Sequence, residues 1–136
     1  MVSEALLSAY RTALYEIDGP MARITLRVGE PAPALDDLLE QAGLRAWAYL
    51  TAWNPRSRPL AIEENERRQA ALERSLAMRG LRILRGRGRA PDGRWSEESV
   101  LALGLARADA LALGRAWDQA GILVGVRGGA PELVLL

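Results

Sequence analysis

The sequence predicts a mixed α+β domain, and three observations carry that prediction. Apolar residues recur at helical spacing in some stretches and alternate in others. Two short runs, Arg45–Ala52 and Ser99–Leu105, are apolar and carry no charge beyond Arg45, as expected of strands buried on both faces. From Arg45 onward the elements follow the order β-α-β-β-α-β, the split β-α-β arrangement of ferredoxin-like domains. In that two-layer sandwich, with its mainly antiparallel sheet, the first and third strands are central and the second and fourth flank them. The two charge-free runs are the first and third strands here, and the second is rich in Arg. A helix–strand–helix extension precedes this core and a hairpin follows it.

The elements can be justified in order. Ser3 is placed to cap a first helix with Glu4 in its first turn, and Leu6, Tyr10, Ala13, Leu14 and Ile17 follow at helical spacing. Asp18-Gly19-Pro20 ends it. Met21–Val28 alternates, with Ala22, Ile24, Leu26 and Val28 on one side and Arg23, Thr25 and Arg27 on the other, so it reads as a half-buried strand. A helix over 35–42 buries Leu35, Leu38 and Leu39 and stops at Gly43. After the first central strand, Asn54–Pro59 is a loop, because neither proline suits a helix interior or central strand. A helix over 61–79 carries Glu63 and Glu64 at its positive end and stops at Gly80. Leu81–Arg89 is the Arg-rich strand and Pro91-Asp92-Gly93 a turn. After the second central strand come a helix over 107–118, a strand over 121–127, a turn at 128–131 and a last strand over 132–136. The strand at 21–28 and the terminal hairpin extend the sheet or cover its edges.

Length and composition bound the function. A chain of 136 residues is the size of one domain, spanning 1–136, and long enough to bury a core without staples. The net charge of +1 gives no global field to gather nucleic acid or a membrane surface. There is no Cys and no His, and all eighteen basic residues are Arg. That excludes disulfides, thiolate nucleophiles, zinc knuckles, imidazole bases and Schiff-base lysines. No cofactor and no metal are expected. The acidic, polar start Met1–Glu4 does not read as a signal peptide, and no apolar run reaches membrane length. The Arg, Ala, Gly and Leu bias suggests a GC-rich genome. With the absence of Cys, it leads us to expect a cytoplasmic protein.

Two places invite chemistry. The first is a polar cluster. Residues 62, 65, 69, 72 and 76 share one helix face, which carries Ile62, Leu72 and Leu76 and so faces the core, together with Asn65 and Gln69. A buried amide without partners costs roughly 1–3 kcal/mol. Asn65 should therefore bond to Asn54 or to the backbone of Pro55–Arg58. On this reading Trp53, Asn54 and Asn65 surround a small polar ligand, Arg56 or Arg58 holds an anion, and Glu97, Glu98 and Gln119 complete the set. In an enzyme, Glu97 or Glu98 would be the acid/base. The plainer alternative is that Asn65 ties down the loop, the tryptophans are core and Glu98 pairs with an Arg. Taking the two central strands as parallel puts Asn54 and Glu97 at opposite ends of the sheet and splits the cluster in two.

The second place is the arginine strand. Arg85, Arg87 and Arg89 share one face, with Arg82, Arg94 and Trp95 nearby, a combination that could grip phosphates and stack a base. The aromatic residues of RNA-binding sheets are missing from the central strands. The alternative is an edge strand guarded by charge, or arginines paired with Glu63, Glu64, Glu66 or Glu73. A third possibility is protein contact. The helix near 107–118 reads as apolar on more than one side, which would suit a homodimer.

Thr51-Ala52-Trp53-Asn54-Pro55, then Glu64-Asn65, Trp95-Ser96-Glu97-Glu98-Ser99 and Asp118-Gln119-Ala120 together resemble a bacterial family catalogued as domain of unknown function 3293. Tyr10-Arg11-Thr12 is similar to its N-terminal pattern. Asp118 departs from it, standing where the family more often has Gly. The resemblance supports the fold and brings no chemistry. The function expected first is a non-enzymatic binding or regulatory module, with an RNA-associated protein as the alternative and a cofactor-free small-molecule enzyme third.

Overall fold

The computed structural model describes residues 2–136; Met1, which opens the acidic start, lies outside the described residues. The elements are α1 (Glu4–Thr12), β1 (Leu14–Asp18), β2 (Arg23–Leu26), α2 (Pro33–Ala42) and β3 (Ala46–Leu50). A 3-10 turn (Pro55–Ser57) leads to α3 (Ile62–Met78). Then come β4 (Arg82–Arg89), β5 (Ser96–Leu103), α4 (Arg107–Ala116), β6 (Gly121–Val126) and β7 (Glu132–Leu135). One seven-stranded sheet in the order β2-β1-β4-β5-β3-β6-β7 organises them, and every neighbouring pair is antiparallel.

This sheet is larger than the four-stranded core expected, and its pairing corrects two readings. The first helix stops at Thr12, and Leu14–Asp18 is a strand. Leu14 and Ile17 fit helical spacing, but both are buried in β1, which pairs on one side with β2 and on the other with β4. The arginine strand β4 is consequently interior and not an edge. Its Gly86 is required there, since a Cβ would lie 1.9 Å from the Glu16 carbonyl oxygen on β1.

The sheet has a core on each face. Leu72 and Leu76 of α3 and Ala110 and Leu113 of α4 pack on Ala48, Leu50, Val100, Ala102 and Val124. On the other face, Leu35 and Leu39 of α2 pack on Ile17, Leu26, Trp47, Tyr49, Leu101, Leu103 and Leu123. Consecutive residues of β3 and β5 therefore alternate between two cores, and this is why neither strand shows a polar side. The sheet curls around α2. The Gly29 N–H, after β2, donates to the Pro131 carbonyl before β7 at 2.9 Å, and Gly128 N–H donates to Asp36 Oδ1 at 3.0 Å. Trp47 lies flat against Gly125 of β6, where any Cβ would sit 2.4 Å from the indole ring.

Two expectations about the helices change. On α3, Asn65, Gln69, Leu72 and Leu76 are buried as their spacing predicts, but Ile62 is 61% exposed, because the first turn projects beyond the sheet with the exposed Arg58–Ala61 approach. On α4, Leu111, Leu113 and the following Trp117 all pack into the same core, and the outward positions are Arg107, Ala108, Asp109, Ala112, Arg115 and Ala116. The second apolar side expected of that helix is absent. No described helix is long and apolar enough to cross a membrane.

Candidate functional site

The central strands β3 and β5 are antiparallel, with Leu50 opposite Val100. The crossover through α3 makes β4 parallel to β3, and the hairpin then returns β5 antiparallel to both, between them. The end of β3 therefore lies beside the start of β5. This corrects the parallel arrangement read from the sequence, and it brings the two halves of the polar cluster together. Thr51 stitches the join: its hydroxyl donates to the Glu98 carbonyl at 2.6 Å and accepts from Trp53 N–H at 3.1 Å.

Beyond Thr51 the chain turns under constraint. Asn54, Arg56 and Ser57 all have left-handed backbones, with φ of 43°, 51° and 60°, and Asp118 has φ 55°. Such conformations cost non-glycine residues free energy and persist where the surroundings enforce them. Asn65, only 2% exposed, does most of the enforcing. Its Oδ1 accepts from Asn54 N–H at 2.9 Å, and its Nδ2 donates to Asn54 Oδ1 at 2.8 Å and to the Leu60 carbonyl at 3.4 Å. Asn54 Oδ1 also accepts from Leu60 N–H at 3.1 Å. Asn65 thus has the Asn54 partner its burial demands, and the backbone it holds is that of Asn54 and Leu60, not of Pro55–Arg58. Gln69 Oε1 accepts from Ala52 N–H at 2.9 Å. Arg68 donates to the carbonyls of Ala52 and Trp117, each at 2.8 Å, with its guanidinium 5.6 Å from the centre of the Trp117 ring. Gln119 Nε2 donates to the carbonyls of Trp53 and Trp117. The indole N–H of Trp53 and the Nε2 of Gln69 are buried without a protein partner.

These ties hold one wall of a small cavity of about 60 Å³ on the α2 face of the sheet. Asn54, Ser57, Trp95, Glu97 and Gln119 line it together with Tyr10, Tyr15, Tyr49, Gly88 and Ser99. Tyr10 hydrogen-bonds Ser57 through its hydroxyl, Tyr15 donates to the Tyr10 carbonyl at 2.6 Å, and Tyr49 donates to the Glu16 carbonyl at 2.8 Å. The Tyr15 and Tyr49 rings meet edge to face at 5.5 Å. The helix α1, which buries no residue of its own, is held through Tyr10 and Tyr15 and brings Tyr10 into the cavity lining.

Among the described residues, Glu97 is the one carboxyl in the cavity lining, and no Arg lines it. Burial pushes its carboxyl up from 4.5 to about 7, and the Asn54 side-chain amide pulls it partly back. Burial likewise raises all three tyrosines, Tyr15 and Tyr49 far above their usual range, with the Glu97 charge adding to the effect at Tyr10 and Tyr15. The phenols stay protonated, while Glu97 can gain or lose a proton near neutrality. Among the described residues, no three carboxylates gather to hold a metal ion.

Glu98 goes elsewhere. Neighbours on a strand point to opposite faces, and Glu98 opens instead onto a charged surface groove beside α3, with Arg85, Arg87 and Glu73. Arg85 pairs there with Glu73 at 2.8 Å, Arg89 with Glu16 at 3.2 Å, and Arg87 donates to Ser96 Oγ at 2.8 Å. Arg82 falls on the other face of β4 by alternation, and Arg94 pairs with Asp92 at the exposed turn. Arg56 and Arg58 are exposed and outside the cavity lining. Trp95 leaves the arginine group for the Glu97 cavity. The sequence reading missed Arg68, Ser57, Ser99, Tyr15 and Tyr49. Arg68 was findable: it lies one turn from Asn65, next to the core face of α3.

The fold is a mixed α+β one built on a curled antiparallel sheet, with the Glu97 cavity on its α2 face and Tyr10 of α1 in the cavity lining. The chain belongs to the family of proteins of unknown function DUF3293, whose sequence profile matches residues 50–122, more than half of its length. The match takes in Asn54, Asn65, Trp95, Glu97 and Gln119, and stops short of Tyr10. No curated protein and no solved structure matches the chain.

Proposed function

We propose that this protein is a non-enzymatic binding module for a small polar molecule held around Glu97. One observation carries the reading: residues from α1, the end of β3 and the loop after it, the start of β5 and the segment after α4 converge on one cavity, whose carboxyl lacks a partner of opposite charge. Fixing the left-handed Asn54–Ser57 loop takes a network of buried amides, and such a network is the means by which a site is kept in shape. Native mass spectrometry of protein purified from its own cells tests the proposal. A small molecule should accompany the wild type and be missing from Glu97→Gln. Identical, unliganded spectra for both would overturn the reading.

A second reading follows from the carboxyl that titrates at about 7: Glu97 as the single acid/base of a cofactor-free enzyme, a role that calls for titration near the working pH. The RNA alternative is less well supported. Glu73 and Glu16 already neutralise Arg85 and Arg89, and α2 covers the sheet face that RNA-binding sheets leave open. We also read β3-α3-β4-β5-α4-β6 as a ferredoxin-like unit, supported by the inner strand order β4-β5-β3-β6. A bacterial cytoplasmic setting and a homodimer joined along the open edge of β7 complete the proposal.

A further inference from the structure

We infer that the cavity receives a small organic cation, an ammonium or methylated ammonium head group, with Glu97 as its counter-ion. This deepens the binding reading above and rests on it.

The chemistry of the lining sets the ligand class. Among the described residues, Glu97 is the only formal charge that faces the cavity; the other polar groups there are neutral hydroxyls and amides. Arg68 and Arg89, on neighbouring elements, are committed to backbone carbonyls and to Glu16 respectively. An anion would meet like charge with no donor cation. A neutral guest would leave the carboxylate uncompensated, or leave it protonated. A cation supplies the missing charge. Tyr10, Tyr15, Tyr49 and Trp95 all line the same space, and aromatic rings attract ammonium groups. The volume of about 60 Å³ holds roughly two water molecules, the scale of ammonium or methylammonium and too small for a nucleobase.

Binding must then depend on pH. The titratable groups facing Glu97 are Tyr10 from α1, Tyr15 from β1 and Tyr49 from β3, all protonated through neutrality. Glu97 alone changes state there, and a cation binds its ionised form. Affinity should fall as pH drops below about 7.

The experiment is calorimetric titration of the full chain with ammonium and methylammonium, against acetamide and acetate, at pH 8 and pH 5. We expect a cation to bind at pH 8 at least tenfold more tightly than acetamide or acetate, and at least tenfold more weakly at pH 5. Glu97→Gln should abolish the preference, and Trp95→Leu should weaken methylammonium severalfold while Glu97 still titrates. Acetamide or acetate binding as tightly as the cations, with that binding lost in Glu97→Gln, would overturn the cation assignment and leave the site standing. Cation binding unchanged in both variants would place the cations elsewhere and also overturn it. No binding of any probe, together with an unliganded native mass spectrum, would remove the site as well.

Discussion

Replacing Glu97 with Gln should stabilise the protein, and by an amount that depends on pH. The carboxyl titrates at its ordinary 4.5 in the unfolded chain and at about 7 in the folded one. Between these values the folded state holds a proton that the unfolded state has released. Stability therefore falls as pH rises through that window: the contribution is complete below pH 4.5 and gone above 7. At 1.36 kcal/mol per pH unit, the whole effect is about 3 kcal/mol. Gln keeps the shape and the hydrogen-bonding partners of the protonated acid and has no charge to desolvate. Urea denaturation of wild type and Glu97→Gln at pH 4.5, 6, 7 and 8 isolates this one group, since every other titration cancels in the difference. The two proteins should be nearly equal at pH 4.5 and diverge by about 3 kcal/mol at pH 8. For a domain of this size that is a difference of roughly 1–2 M in midpoint. Parallel stability curves across the pH range would refute the claim that Glu97 is buried without a counter-charge.

Two further outcomes follow from the same site. Asn65→Ala should destabilise the fold by about 2–3 kcal/mol, because it strands the Asn54 N–H and frees the left-handed loop; hydrogen exchange at Asn54 and Ser57 should rise with it, and unchanged exchange would contradict the bracing role. Asp118→Gly should raise the melting temperature by about 2–4 °C, since glycine adopts φ 55° without the steric cost that aspartate bears. A melting temperature below wild type would show that the Asp118 side chain contributes more than its backbone costs.

Much of the fold was legible because its signals are local. The two uncharged runs, the caps at Ser3 and Gly43 and the proline-rich loop all report on nearby chain. The strand Leu14–Asp18 was hidden because Leu14 and Ile17 satisfy helical spacing equally well. Its identity comes from Arg89 and Leu26, its cross-strand neighbours far along the chain. Within the site, Asn65 announced itself as an amide on an apolar helix face. What the sequence concealed was convergence. The direction of β5 relative to β3 decides whether Glu97 and Asn54 meet, and that direction is a property of connection topology. The tyrosines were illegible for the same reason: each sits on a different element, and only the curled sheet gathers them.

Because β3 and β5 are buried on both faces, a slip of one residue would exchange the two cores without exposing a single apolar side chain. Hydrophobicity, which fixes alignment in an amphipathic strand, is nearly silent about it here. Alignment falls instead to the polar residues at the strand ends. Only one pairing lets Thr51 reach the Glu98 carbonyl, keeps Glu98 in the charged groove among arginines and sets Glu97 beside Asn54. The residues that build the cavity therefore also act as the key that locks the sheet in register. A variant that empties them of polarity would lose more than a ligand: it would make two nearly degenerate alignments available to the same chain.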